Sequence, residues 1–326
     1  MQKSILGMGN ALVDVLARIA DDATLERLGL PKGSMQLVDA DRYTTLSAEA
    51  AKMSPSRTTG GSAGNTILAI ANLGLPTGFI GRVGDDDNGA FYTANSREHG
   101  IRFQNIGGGG TTGVALTFIS PDGQRTFGTH LGVAGLLRAE DLKAEMFAGY
   151  DFFHVEGYLT QDHALISRAY QLAHEAGLTT CIDLASYNIV EADRAFFAEL
   201  LPQVDIVFAN EEEARAFTGK QPEEALEDLA AICPTAVVKT GARGALAARG
   251  AERASVAAHK VSVVDTTAAG DYFAAGFLYA TAEGLSLAAA LETGTLLASE
   301  VVQVVGTRLD EATWEKIRAK ISTEAR

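Results

Sequence analysis

Four short apolar runs decide the fold: FFHV at Phe152–Val155, TTCID at Thr179–Asp183, VDIVFA at Val204–Ala209 and TAVVK at Thr235–Lys239. Each is rich in β-branched or aromatic residues and too short for a buried helix, so each reads as a buried strand. Between them lie stretches of helical periodicity at Gln161–Ala176, Asp193–Leu201, Glu211–Phe217 and Glu223–Ile232. Strands alternating with helices demand right-handed crossovers and a mainly parallel sheet. Downstream, helical spacing returns in Asp271–Glu283, Ser286–Val305 and Glu311–Ile321.

Upstream the pattern changes. Strand-like runs occur at Ile5–Gly9, Val13–Arg18, Gln36–Val38, Gly78–Val83, Arg102–Ile106, Gly113–Ser120 and Arg125–Gly128, with helices at Gly64–Leu73 and Asn88–His99. The turn Pro121-Asp122-Gly123-Gln124 makes Gly113–Ser120 and Arg125–Gly128 a hairpin. The expectation is an α/β protein in which a doubly wound, mainly parallel sheet is flanked by helices. Residues 1–326 form one domain, with a small β-sheet lid built from about 11–45 and 100–130.

Composition narrows the function. The 326 residues carry 27 Lys+Arg against 41 Asp+Glu, a net charge of −14 that repels a nucleic-acid backbone. Cys181 and Cys233 stand alone, which predicts buried, reduced thiols in a cytoplasmic protein. The six histidines show no zinc-hydrolase pattern. The N-terminal apolar runs are broken by Gly7, Gly9, Asn10 and Asp14, unlike a signal peptide, and no run is long enough to span a membrane.

The chemistry centres on DTTAAGDYFAAGF, Asp265–Phe277. The small residues Ala268, Ala269 and Gly270 let backbone N–H groups converge where a helix begins, and there the helix dipole favours an anion. Asp271 in the same turn can take a proton from a bound hydroxyl. An anion cradle beside a carboxylate suits phosphoryl transfer to an alcohol; an Asp capping a core helix is the plainer alternative.

Other segments are individually weaker. KTGARG at Lys239–Gly244 follows a strand and brings Thr240, Gly241 and Gly244 where a nucleotide could approach the backbone. NEEE at Asn210–Glu213 opens a helix at the carboxyl edge of the sheet; it is either an ordinary cap or a pair holding Mg²⁺ through water. Asp14 interrupts an apolar strand pattern and must face solvent or a polar ligand such as a diol. Asp85-Asp86-Asp87 reads as a cap on the helix ending at His99. GGGTTG at Gly108–Gly113 opens a strand rather than a helix, which makes it a glycine hinge rather than a dinucleotide loop. GGSAG at Gly60–Gly64 matches a nucleophile elbow with Ser62, but the preceding KMSPSRTT is too polar for the buried strand an elbow requires.

Together, GGSAGNT, the downstream FIGRVGDDDNG and DTTAAGD, in this order and spacing, resemble the ribokinase-like (phosphofructokinase-B) family of carbohydrate and nucleoside kinases. The likeness spans nearly the whole chain. MGNALVDV, GLPKGSMQLVD, GYLT at Gly157–Thr160 and LPQVDIVFANEEEARAF at Leu201–Phe217 are most similar to adenosine kinases. The resemblance implies ATP and Mg²⁺ as cofactors, with a monovalent cation in some relatives, and a small-molecule nucleoside or sugar as acceptor. Net charge and the lack of a long apolar run imply no nucleic-acid or membrane partner, and the expected state is a monomer or homodimer. Asp271 matches the family's catalytic base, and Ala268, Ala269 and Gly270 its anion hole. Asp14 matches the acid on the acceptor hydroxyls, with Gly60, Gly61 and Asn65 in the same pocket. Leu131 and Val133 fall where adenosine kinases contact the base; Thr240, Gly241 and Gly244 fall beside ATP, Asn210 and Glu213 near the metal, and Arg125 near the transferred phosphate. The implied reaction is phosphorylation of a primary hydroxyl, adenosine to AMP foremost, with a sugar kinase as the alternative. Two departures stand out: Ala268 replaces the family's usual Gly, and Tyr158-Leu159 stands where aromatic residues tend to surround adenine.

Overall fold

The computed structural model describes residues 2–324. In chain order the strands are β1 (Ile5–Met8), β2 (Leu12–Arg18), β3 (Met35–Leu37), β4 (Ser56–Gly60), β5 (Thr77–Gly81), β6 (Arg102–Asn105), β7 (Gly113–Ile119), β8 (Arg125–His130), β9 (Phe152–Glu156), β10 (Thr179–Asp183), β11 (Ile206–Asn210), β12 (Thr235–Lys239), β13 (Ala245–Arg249) and β14 (Glu252–Val256). The helices are α1 (Ala23–Leu28), α2 (Ala40–Ala51), α3 (Ser62–Asn72), α4 (Asp87–Glu98), α5 (His163–Glu175), α6 (Tyr187–Ala192), α7 (Arg194–Leu200), α8 (Glu211–Thr218), α9 (Pro222–Ala230), α10 (Ala269–Ala282), α11 (Leu287–Val301) and α12 (Glu311–Glu324).

Nine strands form the main sheet in the order β14-β13-β12-β11-β10-β9-β1-β5-β6. From β12 to β6 all neighbours run parallel, and β13 and β14 close the edge antiparallel. Two apolar layers cover its faces. One is centred on Ile67, Phe79, Phe208, Phe277 and Leu291, the other on Phe153, Ile166, Val207 and Leu229. Both faces are buried, which is why these strands read as unbroken apolar runs.

The second sheet has five strands in the order β3-β8-β7-β2-β4. One face packs on α1 and α2 through Leu25, Leu28, Leu46 and Phe118. The other turns inward over the carboxyl edge of the main sheet, carrying Asp14 and Arg125. Its composition differs from expectation in two places. Ser56–Gly60 joins it as an edge strand, antiparallel to β2. Arg102–Asn105 instead extends the main sheet beside β5. The hairpin of β7 and β8 forms around the expected turn, with Ile119 opposite Arg125.

Helix α10 is unusually close to α11. A Cβ at Gly276 would lie 2.5 Å from the Thr293 carbonyl oxygen, and one at Gly294 would lie 2.8 Å from that of Phe273. The backbones touch because neither position carries a side chain. Cys181 and Cys233 are both free and buried. Among the described residues no helix is long and apolar enough to cross a membrane.

Candidate active site

Four adjacent parallel strands each end on a polar residue: β9 on Glu156, β10 on Asp183, β11 on Asn210 and β12 on Lys239. The carboxyl edge of a parallel sheet is where open α/β folds bind ligands. The heads of α3 and α10 meet above this row, and the inner face of the small sheet roofs it.

Asp271 is the third residue of α10 and is partly exposed, neither sealed in hydrocarbon nor facing bulk water. Its Oδ1 accepts from Ser62 Oγ at 2.7 Å and its Oδ2 from Asn65 Nδ2 at 2.8 Å. Ser62 and Asn65 are three residues apart on α3, so both reach the same side. Burial pushes the Asp271 carboxyl up to about 6, although both hydrogen bonds and Lys239 pull it back and Asp183 adds to the rise. A carboxylate held by two donors in this range is suited to accepting a proton near neutral pH.

Helix α3 can start where it does because Gly61 adopts φ +88°, and a Cβ there would lie 2.1 Å from the Asn10 carbonyl oxygen. Glu156 anchors the same corner from below. Its Oε2 accepts from the Ala63 amide at 2.8 Å, and its Oε1 from the Asn10 amide at 2.9 Å and Asn10 Nδ2 at 2.8 Å. Burial pushes this carboxyl up to about 7 despite those three donors.

Ala268, Ala269 and Gly270 form the turn before Asp271. Ala268 sits in the left-handed region at φ 61°, which costs a residue with a Cβ about 1–2 kcal/mol. The observed strain belongs to the turn that aims the first amides of α10. Gly270 faces Lys239, whose Nζ lies 3.1 Å from where a Cβ on Gly270 would stand. Lys239 in turn donates to Asp183 Oδ2 at 2.5 Å.

Asp14 hangs from β2 over Gly60: a Cβ on that glycine would lie 2.4 Å from Asp14 Oδ1. No hydrogen bond from the described residues reaches the Asp14 carboxylate. Burial pushes it up to about 7, with Arg125 lowering it and Asp271 and Asp265 raising it. Strand pairing sets Asp14 in a cross-strand row with Ala115, Thr129 and Leu37. Such a row places Thr129 roughly 10 Å from Asp14 on the same face. There an open cleft of about 290 Å³ is lined by Leu37, Val38, Thr129, Leu131 and Leu136 among others. Leu37 is 60% and Leu136 49% exposed. Val133 is buried, with one methyl 2.7 Å from where a Cβ on Gly110 would stand.

At the far edge, the Thr240 amide donates to the Gly244 carbonyl at 2.8 Å, closing a turn in which Gly241 and Gly244 both have positive φ. The turn backbone is exposed at Gly241, whereas Thr240 is buried. Asn210 and Glu213 form a reciprocal capping box. Glu213 Oε1 and Oε2 accept from Asn210 Nδ2 and its amide, both at 2.7 Å, and Asn210 Oδ1 accepts from the Glu213 amide at 2.8 Å. Burial pushes Glu213 up to about 7. With both oxygens occupied and Glu213 only 2% exposed, the pair is built as a helix cap, and Mg²⁺ would have to meet it through water rather than by direct coordination. No cluster of three or more metal-ligating side chains occurs among the described residues.

Thus Asn65 is hydrogen-bonded to Asp271, Gly61 heads the same helix α3, Gly60 lies against Asp14, Leu131 lines the apolar cleft beside Thr129, and Thr240, Gly241, Gly244, Asn210 and Glu213 lie along the sheet edge. Arg125 enters from the roof, where its Nη2 lies 2.5 Å from Asp265 Oδ2 and its Nη1 donates to Thr267 Oγ1 at 3.2 Å. The sequence reading passed over Ser62 as a partner of Asp271, and also Asp183, Lys239, Glu156, Leu37 and Leu136. The signal for three of them was a polar residue closing an apolar strand run. The remaining motifs settle into structural parts. Asp86 caps α4 through the Gly89 amide, while its other contacts, with the Thr112 amide and hydroxyl, pin the glycine loop before β7. A strand does precede GGSAG, but no histidine hydrogen-bonds to Ser62 among the described residues.

Comparison with known proteins agrees with this geometry. Residues 33–314 match the model of the pfkB family carbohydrate kinases. An adenosine kinase from Schizophyllum commune is 30% identical over 95% of this chain and 97% of its own length. The structure of an adenosine kinase from Sinorhizobium meliloti superposes with a TM-score of 0.88 at 36% identity, covering 98% of this chain and 100% of the other. A probable sugar kinase from Rhizobium etli CFN 42 gives the same TM-score and coverage at 34% identity. With the doubly wound sheet, the roofing second sheet and the paired helix heads in place, the chain belongs to the pfkB family of carbohydrate kinases, phosphotransferases that act on an alcohol acceptor.

Proposed function

We propose that the protein transfers the γ-phosphoryl group of ATP to the primary hydroxyl of a nucleoside, with adenosine as preferred acceptor and AMP as product. The observation that carries this reading is the row on the small sheet. A carboxylate with no hydrogen-bond partner among the described residues, Asp14, stands roughly 10 Å across the strands from Thr129, which lines an apolar cleft with exposed Leu37 and Leu136 and half-buried Leu131. A ribose diol suits the carboxylate and a flat base the cleft. A bare sugar leaves the apolar cleft facing water.

In the reaction, Asp271 orients the acceptor hydroxyl and receives its proton as the oxygen attacks phosphorus. The bond between the γ-phosphorus and the bridging oxygen breaks, and ADP departs with that electron pair. Amides of the Ala268–Asp271 turn bind the charge spread over the migrating group, and positioning matters more than basicity in so loose a transition state. Bound with the nucleotide, Mg²⁺ would supply charge neutralisation, and Asn210 and Glu213 are the residues that would hold it through water. The small sheet acts as a lid over the acceptor, and the turn at Thr240–Gly244 receives the nucleotide.

The direct test is turnover of the purified protein with ATP and Mg²⁺ against adenosine, inosine, ribose, fructose and 2-keto-3-deoxygluconate, with products identified by mass spectrometry. AMP formation at the highest kcat/KM is expected. Preference for ribose, fructose or the keto-sugar acid would replace the nucleoside assignment with the sugar one.

A further inference from the structure

We propose that Lys239 is a catalytic residue: its ammonium contacts the migrating phosphoryl group at the head of α10, and Asp183 holds it there. This builds on the kinase reading above and adds a cation from the sheet side to a site that Arg125 enters from the roof.

Lys239 ends β12, in register beside Asn210 of β11. Its side chain leans across β11 to reach Asp183 at the end of β10, 56 residues earlier in the chain. The ammonium has three donors. One meets Asp183, and no second hydrogen bond from Nζ is found among the described residues. The open side faces Gly270, where a Cβ would stand 3.1 Å from Nζ. Absence of a side chain at Gly270 therefore lets the Lys239 ammonium pack directly against the first turn of α10, in reach of an oxyanion bound to that turn.

The charge balance requires such a group. Asp271, Asp183 and Glu213 all bear on this corner, and the chain as a whole carries −14. Arg125, the other cation near this turn, is already paired with Asp265 from the roof, so Lys239 is the positive group on the sheet side of the corner. Burial alone would depress the lysine, but Asp183 and Glu213, with Asp271, hold it above its ordinary range, so it stays charged throughout the working pH range. Its contact shortens as charge gathers on the equatorial oxygens, and no proton leaves Nζ. Asp183, anchored by the Ala185 amide at 3.0 Å, is a positioning residue.

The test uses K239M and the double variant K239M/D183N, which removes the buried carboxylate that the single change leaves unpaired. Both are compared with wild type for kcat and KM on ATP, and for binding of MgADP with and without aluminium fluoride, a mimic of the phosphoryl group in transfer. We expect kcat to fall at least 100-fold in both variants with KM for ATP within about threefold. ADP affinity should be unchanged, whereas the fluoride complex should weaken at least 100-fold. A double variant that folds, turns over within threefold of wild type and binds the fluoride complex equally well overturns the proposal. The binding arm needs no acceptor, so it reads the lysine even if adenosine is not the substrate; a wild-type protein that phosphorylates none of the five acceptors would instead strike at the acceptor assignment.

Discussion

Arg125 and Asp265 join the two sheets: the guanidinium at the start of β8 lies 2.5 Å from the carboxylate that opens the turn before α10, and both side chains are under 10% exposed. Asp265 also accepts from the Gly306 amide at 2.8 Å and the Thr267 amide at 3.1 Å. One side of this contact belongs to the roof and the other to the turn proposed to bind phosphate. Arg125→Ala should therefore raise KM for the acceptor about tenfold and lower kcat, while ADP release without acceptor increases because water is less well excluded. A coupled assay of ADP release with and without adenosine measures both. Unchanged KM and unchanged background hydrolysis would disconnect the roof from catalysis.

Asp271→Asn should cut kcat by on the order of 10²–10⁴ with acceptor affinity within several-fold of wild type. The pH profile gives a second check. As the proposed base Asp271 works only as the carboxylate, and burial pushes its pKa up to about 6. The logarithm of kcat should climb with unit slope below that pH and level off above it. Activity that stays flat down to pH 4 would exclude this carboxyl as the base.

Asp14 links stability to function. Its carboxyl, pushed up to about 7 by burial, binds a proton more tightly in the folded chain than in the unfolded one, where the ordinary value is 3.8. Ionisation of Asp14 thus costs stability above about pH 7, and the cost shrinks as pH falls from there toward 3.8. Asp14→Asn should raise Tm by roughly 2–5 °C at pH 8 and by less at pH 5. It should also weaken acceptor binding at least tenfold, as a calorimetric titration with adenosine would record. Undiminished binding would remove Asp14 from the diol site.

Leu37→Ser separates nucleoside from sugar. Leu37 is 60% exposed, so its loss should alter stability by no more than about 0.5 kcal/mol. If a base packs on it, removing that contact should raise KM for adenosine roughly tenfold and leave KM for ribose unchanged. Equal effects on both acceptors would mean that no base sits in this cleft.

The parallel sheet was legible because its strands are buried on both faces and so appear as continuous apolar runs from Phe152 to Lys239. Other elements lacked that signature. SRTTG at Ser56–Gly60 contains no large apolar residue, yet becomes a strand because its backbone completes the edge beside β2 and its first half faces solvent. ALAAR and ERASV, which make β13 and β14, are too rich in small and charged residues to stand out. Helix α2 buries only Leu46 and Ala50, too little for a clear periodic stripe. The same logic governs the site. Asp271 and its turn were local and could be read, whereas the Ser62–Asp271 and Lys239–Asp183 bonds join residues 209 and 56 positions apart. Only the order of strands in the sheet brings such pairs together.

The bare backbones of α10 and α11 at Gly276 and Gly294 have a further consequence. Gly276 lies five residues past Asp271, about 7.5 Å along the helix, so the turn proposed to cradle phosphate is a cantilever clamped at its root. A single methyl inserted at the clamp cannot be absorbed by a rotamer change, because it meets carbonyl oxygen rather than a yielding side chain. Passed along a stiff rod, the displacement would reach Asp271, so under the proposed mechanism errors far from any ligand should read out as lost turnover.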